Sequence, residues 1–187
     1  LNVAKGLKIN VIGVSFHVGS NCQSVDTYAE SIKDAKDVFN IAKELGFNFQ
    51  ILNIGGGFPG TDTEKITFKD IATTVNDAIA NYFNDIEDLK IMAEPGRFFV
   101  ASSHTLVLNV INKKIRIDKE TGEKIIIYYC NDGLYSSLNG IVMDHFVVDE
   151  SNLIPFNERH EKKYKCQLFG QTCDSADQIT ESIMLPD

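Results

Sequence analysis

Two architectures in series are predicted: an α/β segment built on parallel strands, then an all-β segment. Three observations carry this. Residues 11–93 alternate short apolar runs with long amphipathic stretches, which is the mark of parallel strands joined by right-handed crossovers. The polar clusters His17 to Ser20, Gly55 to Gly57 and Glu94 to Arg97 each follow a strand, at the end where α/β barrels and open α/β sheets place ligands. After Arg97 strand patterns succeed one another without long helices between them, and such a change of rhythm marks a separate β domain. The boundary is placed near Ala101, dividing the chain into 1–101 and 102–187.

The elements follow in order. Leu1 to Leu7 reads as the tail of a helix. Val11 to Phe16 is an apolar run suited to a buried strand. From Val25 to Leu45 an apolar stripe recurs at Tyr28, Ile32, Ala35, Phe39 and Ala42, opposite a charged face, so a helix is expected. Ser24 is placed to cap its start and Gly46 to end it. Phe49 to Ile54 is the next strand. Thr67 to Phe83 is the second amphipathic helix, with Phe68, Ile71, Val75, Ala78, Ile79 and Tyr82 inward. Leu89 to Ala93 is a third buried strand. Beyond it, strands are expected at Leu106 to Ile117, Lys124 to Cys130, Gly140 to Val148 and Tyr164 to Phe169, with a hairpin turn at Asp118 to Glu123. Ser175 to Ile183 reads as helical, and no strand is evident to close the sheet. A barrel needs eight β/α units. About three are visible, so the N-terminal part of any barrel is expected to be missing.

Composition narrows the function. The net charge of −8 over 187 residues opposes nucleic acid and anionic membrane surfaces as partners and suits a small cationic substrate. No run is long and apolar enough to span a bilayer. Leu1 to Asn10 lacks the features of a signal peptide, and the chain begins with Leu rather than Met, so its true start is expected elsewhere. Cys22, Cys130, Cys166 and Cys173 form no CxxC pair and have no His at zinc spacing. They read as reduced thiols of a cytoplasmic protein, with no metal site.

Asn53-Ile54-Gly55-Gly56-Gly57-Phe58-Pro59-Gly60 is the stretch that suggests chemistry. Consecutive glycines after a strand let backbone approach a ligand closely and turn N–H groups toward an anion. Arg97, after Pro95-Gly96, supplies a fixed cation whose planar fork matches phosphate. With Ser20 and Gly55 to Gly57 it completes an anion cup, though it also suits a surface salt bridge. Glu94 at a strand end needs a proton or cation; a pyridinium nitrogen or a structural partner would serve. His17 can stack on a flat ring or be a hydrogen-bonded core histidine. Together these describe pyridoxal 5′-phosphate. The lysine that should hold its aldehyde is expected on an earlier strand, because the lysines up to Lys90 lie away from the ligand-facing ends. Cys173, beside Asp174, can serve proton transfer. Asp174 and Asp144 are acids for a distal amine, or else a helix cap and a local turn.

Six stretches resemble, in order, the eukaryotic-type ornithine decarboxylase family of fold-type III pyridoxal enzymes: Gly13 to Ser20, Ile54 to Gly60, Ala93 to Arg97, Tyr129 to Tyr135, Met143-Asp144-His145 and Gly170 to Asp174. The resemblance implies the C-terminal part of an alanine-racemase-like TIM (β/α)8 barrel followed by part of a β domain. It implies decarboxylation of L-ornithine to putrescine, in polyamine biosynthesis. His17 would stack on the cofactor and join Cys173 as a catalytic residue. Ser20, Gly57, Gly96 and Arg97 would hold the phosphate, with Gly55, Gly56 and Pro95 shaping the site. Glu94 would keep the pyridine nitrogen protonated. Cys173 would return the proton to the alpha carbon, and Met143, Asp144 and Asp174 would line the substrate. A homodimer with shared sites follows, with Tyr135 near the interface.

The family usually has Pro where Gln171 stands and Tyr where Met143 stands. These departures leave room for a non-catalytic relative of the antizyme-inhibitor type, with an antizyme-like regulator as partner. Arginine or lysine are the alternative substrates. Without the lysine strand and the last β-strands, this stretch of chain is expected to be inactive alone.

Overall fold

The computed structural model describes residues 1–63, 65–144, 146–153 and 162–187. The chain divides into two compact units, Leu1–Thr105 and Leu106–Asp187.

In the first unit a short helix α1 (Asn2–Gly6) leads to β1 (Gly13–Ser15), α2 (Val25–Glu44), β2 (Ile51–Asn53), α3 (Phe68–Tyr82), β3 (Lys90–Met92) and a one-turn α4 (Gly96–Val100). The strands lie in the order β1-β2-β3, both pairs parallel, with Val14 opposite Leu52 and Leu52 opposite Ile91. Helix α2 buries the whole stripe Tyr28, Ile32, Ala35, Phe39 and Ala42. The Ser24 side chain accepts from the Thr27 N–H, and Gly46 takes φ of 85° after the last turn, a conformation that costs glycine little. Thr67 and Asp70 form a reciprocal capping box at the start of α3. That helix buries Ile71, Val75 and Ala78. Phe68 and Tyr82, expected inward, are each 37% exposed at its ends. Phe39 ties the layers, meeting Phe49 and Phe83 edge-on at 5.2 and 5.1 Å. Truncating such a buried ring costs about 3–5 kcal/mol.

The third strand is not buried. Lys90, Ile91 and Met92 are all exposed, because β3 is an edge of this sheet and no strand flanks it among the described residues.

The second unit holds β4 (Val110–Ile117), β5 (Lys124–Cys130), α5 (Gly140–Met143), a 3₁₀ turn (Glu150–Asn152), β6 (Lys163–Phe169) and β7 (Gln178–Pro186). The sheet order is β4-β5-β6-β7. β4–β5 and β6–β7 are antiparallel, and β5–β6 is parallel. The Asp118 carboxylate accepts from the Glu120 and Thr121 N–H groups, and Gly122 takes φ of 70°, which closes the β4–β5 hairpin. Ile126, Tyr128, Cys130, Cys166, Leu168, Ile179 and Ile183 form the core.

Three sequence expectations fail here. The β4 strand starts at Val110 rather than Leu106, and all eight of its residues are exposed. Gly140 to Val148 is not a strand: the N–H groups of Val142, Met143 and Asp144 return to the carbonyls of Asn139 and Gly140 and make α5. Its apolar residues lack the alternation of a half-buried strand. Ser175 to Ile183 is not a helix. Ile179 and Ile183 are four residues apart, a spacing that fits one helix face and one strand face equally. The open edge of β6 settles the matter by pairing with β7, which caps the sheet.

Candidate active site

The three polar clusters meet at the C-terminal rim of the parallel sheet. They interlock through backbone: Phe16 N–H donates to the Asn53 carbonyl, Ile54 N–H to Met92 O, Glu94 N–H to Gly55 O at 2.7 Å, and Cys22 N–H to Gly57 O at 2.8 Å. The glycines are required by this closeness. A Cβ on Gly56 would lie 2.6 Å from the Glu94 carbonyl oxygen and 3.2 Å from His17 Cε1. Gly55 and Gly57 take φ of 64° and 94°, and a Cβ there would collide with the carbonyls of Phe16 and Gly19. The loop is thus a cradle in which only hydrogen fits.

The side chains are held as well. His17 Nδ1 accepts from the Gly56 N–H at 3.1 Å, so in the neutral ring the proton is on Nε2. Arg97 Nη2 donates to Ser20 Oγ at 3.1 Å. That bond places a guanidinium and a hydroxyl side by side, a pair suited to one anion. Asn53 Nδ2 donates to Glu94 Oε1 at 2.6 Å, and Asn53 Oδ1 accepts from the Gly55 N–H at 2.9 Å. Glu94 is exposed, not at the end of a buried strand as expected.

In the second unit Cys173 and Asp174 stand exposed on the loop between β6 and β7. The Tyr135 hydroxyl donates to Asp174 Oδ2 at 2.5 Å, and the Ala176 N–H donates to Oδ1. The phenol bond first, and then the amide, hold the Asp174 carboxyl below its usual range; the same bond pushes the Tyr135 hydroxyl above its own. Asp174 therefore caps a turn rather than a helix. Met143 ends α5 at 77% exposure, Asp144 follows it, and His145 of that motif lies outside the described residues. Cys22 is half-buried and Cys130 and Cys166 are buried; burial pushes both of these last thiols up.

Two supporting residues escape a reading of the sequence. Asn53 is nearly buried and serves both Glu94 and the glycine loop; a polar side chain closing an apolar strand was its only signal. Asp177, 1% exposed, accepts from the N–H groups of Leu134 and Thr172 and from the Thr172 hydroxyl. Nothing in its neighbourhood in the sequence announces that role.

A glycine cradle, an anion-binding Arg–Ser pair, a fixed imidazole and a carboxylate at one rim fit pyridoxal phosphate. Residues 1–101 match the family model described as pyridoxal-dependent decarboxylase, pyridoxal binding domain. The chain belongs to the pyridoxal-dependent decarboxylases, and pyridoxal phosphate is the cofactor of that domain. Among curated relatives, antizyme inhibitor 2 of Xenopus laevis is 45% identical across the whole chain, and the ornithine decarboxylase of Cricetulus griseus is 42% identical. The chain spans 42% of the length of each. Among solved structures, the arginine decarboxylase of Paramecium bursaria Chlorella virus superposes with a TM-score of 0.81 at 34% identity, over 98% of this chain and 47% of that one. The lysine/ornithine decarboxylase of Vibrio vulnificus, complexed with cadaverine, gives 0.79 at 32%, over 100% and 48%.

Proposed function

We propose that the complete protein containing this chain is an ornithine decarboxylase that makes putrescine for polyamine synthesis. The interlocked rim carries the proposal: Arg97 bonded to Ser20, His17 to Gly56 and Glu94 to Asn53, around three glycines that admit no side chain. On this reading residues 1–101 are the C-terminal portion of a β/α barrel and residues 102–187 a portion of a C-terminal β domain. The bound cofactor supplies an electron sink for the bond that breaks when carbon dioxide leaves. Arg97, Ser20, Gly57 and Gly96 bind its phosphate, with Gly55, Gly56 and Pro95 shaping the backbone around it. His17 covers one face of the ring. Glu94 holds the proton on the pyridine nitrogen. Cys173 delivers a proton to the alpha carbon, and Asp144 and Asp174, with Met143 beside them, receive the distal ammonium. Two copies of the protein share their sites, the rim of one receiving the Cys173 loop of the other. The free thiols suit the cytoplasm.

The test is release of carbon dioxide from ornithine, arginine and lysine offered separately to the complete protein with pyridoxal phosphate. Preference for ornithine is expected. Similarity to arginine and lysine decarboxylases favours those substrates next. The 45% identity to antizyme inhibitor 2 supports a second reading: a non-catalytic relative that binds an antizyme-like regulator. Cofactor binding with no turnover on any of the three amino acids would favour that reading.

A further inference from the structure

We propose that Asn53 is a positioning residue of the cofactor site: its amide aims Glu94 at the pyridine nitrogen while pinning the glycine loop. This rests on the pyridoxal phosphate reading above and adds to it a residue outside the phosphate cup. The observation is one side chain with both ends engaged. Nδ2 donates to Glu94 Oε1 at 2.6 Å, and Oδ1 accepts from the Gly55 N–H at 2.9 Å. Asn53 is 9% exposed, whereas Glu94 is open to solvent, two residues past the end of the edge strand β3. The buried residue therefore has little freedom, and the exposed one borrows its orientation.

The chemistry of the amide suits both tasks. A short side chain that must accept from a backbone N–H and also donate to a carboxylate has to carry both a carbonyl and an N–H. A carboxylate at position 53 could accept but would donate only when protonated, and two ionised carboxylates at this separation oppose each other. Asparagine leaves Glu94 as the one acidic side chain of the pair. It also leaves Oε2 without a hydrogen bond among the described residues, so this oxygen remains available to accept from a ring N–H. The same amide couples the two ends of the cofactor. Gly55, which it holds, gives its carbonyl to the Glu94 N–H at 2.7 Å and continues into Gly56, which holds His17. Among the described residues, the other ionisable side chains at this rim include His17, after β1, Cys22, whose N–H meets the Gly57 carbonyl, and Arg97, in α4.

The experiment measures pyridoxal phosphate affinity and the visible absorbance of bound cofactor in the complete protein. The variants are Asn53→Leu, Asn53→Asp and Glu94→Ala, with Asn53→Leu/Glu94→Ala. Asn53→Leu keeps the number and branching of side-chain heavy atoms and removes both hydrogen bonds. Its cofactor dissociation constant should rise about tenfold or more, as for a lost charge-assisted bond, and its absorbance should shift toward that of Glu94→Ala. In the Glu94→Ala background the same change should cost much less, because the two act together. Asn53→Asp should bind nearly as well as the wild type when protonated and lose affinity as pH rises, while the wild type does not follow that profile. A residue needed only for packing would show neither the coupling nor the pH profile. Affinity and absorbance within twofold of wild type in Asn53→Leu, or full additivity in the double variant, overturns the proposal. A wild-type protein that binds no pyridoxal phosphate overturns the underlying reading and this inference together.

Discussion

The carboxylate of Asp177 occupies the space that a Cβ on Gly170 would need: both of its oxygens lie against that position, and one of them also lies against Gly133. One buried acid thus joins the loop after β5 to the loop after β6. It holds Leu134 N–H on one side and Thr172 N–H and hydroxyl on the other, and its own carbonyl accepts from Gly170 N–H. These are the loops that carry Tyr135, Cys173 and Asp174.

Asp177→Ala should therefore be costly although Asp177 forms no ion pair among the described residues. Three donors lose their acceptor, and the expected destabilisation is about 2–4 kcal/mol. Gly170→Ala should cost about 1–3 kcal/mol through overpacking alone. Urea unfolding of the complete protein measures both. An Asp177→Ala protein as stable as wild type would mean that water replaces the carboxylate without loss.

Arg97→Ala should weaken pyridoxal phosphate by about 1.5–3 kcal/mol, the worth of a hydrogen bond to a charged group. Equilibrium titration with the cofactor reads this directly. Unchanged affinity would mean that the phosphate does not lie beside Ser20 and Arg97.

Cys173→Ala should leave cofactor affinity intact and reduce turnover, by about 10²-fold or more if the thiol acts as a general acid. Cofactor titration and product analysis on the same preparation separate the two effects. Loss of cofactor together with turnover would place Cys173 in a structural role.

The link between Tyr135 and Asp174 carries a pH signature. Folding lowers the Asp174 carboxyl, chiefly through the phenol, so this contribution is full above the unfolded value near 4 and is lost as pH falls through the folded one. Folding raises the Tyr135 hydroxyl through the same bond; that contribution is full below about 10 and lost as pH rises beyond the raised value. In Tyr135→Phe the Asp174 carboxyl should titrate closer to an ordinary aspartate, as followed by NMR. An unchanged titration would assign the shift to the Ala176 N–H instead.

Much of this protein was legible in local pattern. The stripe from Tyr28 to Ala42, the Ser24 and Thr67 caps, and the glycine run after a strand depend on residues close in sequence. The same physics acts on them before and after folding: periodic burial, capping of orphan N–H groups, freedom at positive φ. The site residues of the rim stood out for the same reason, because each follows its own strand.

What tertiary structure decided is what depends on a distant partner. Whether 175–183 became helix or strand turned on the free edge of β6, since Ile179 and Ile183 satisfy either period. Whether β3 was buried turned on which strands flank it. Asn53 and Asp177 acquired their roles only when chain 41 and 43 residues away brought Glu94 and Leu134 to them. A hydrogen bond between side chains on different elements leaves no trace in either segment alone, because neither residue needs the other until the backbone has brought them together.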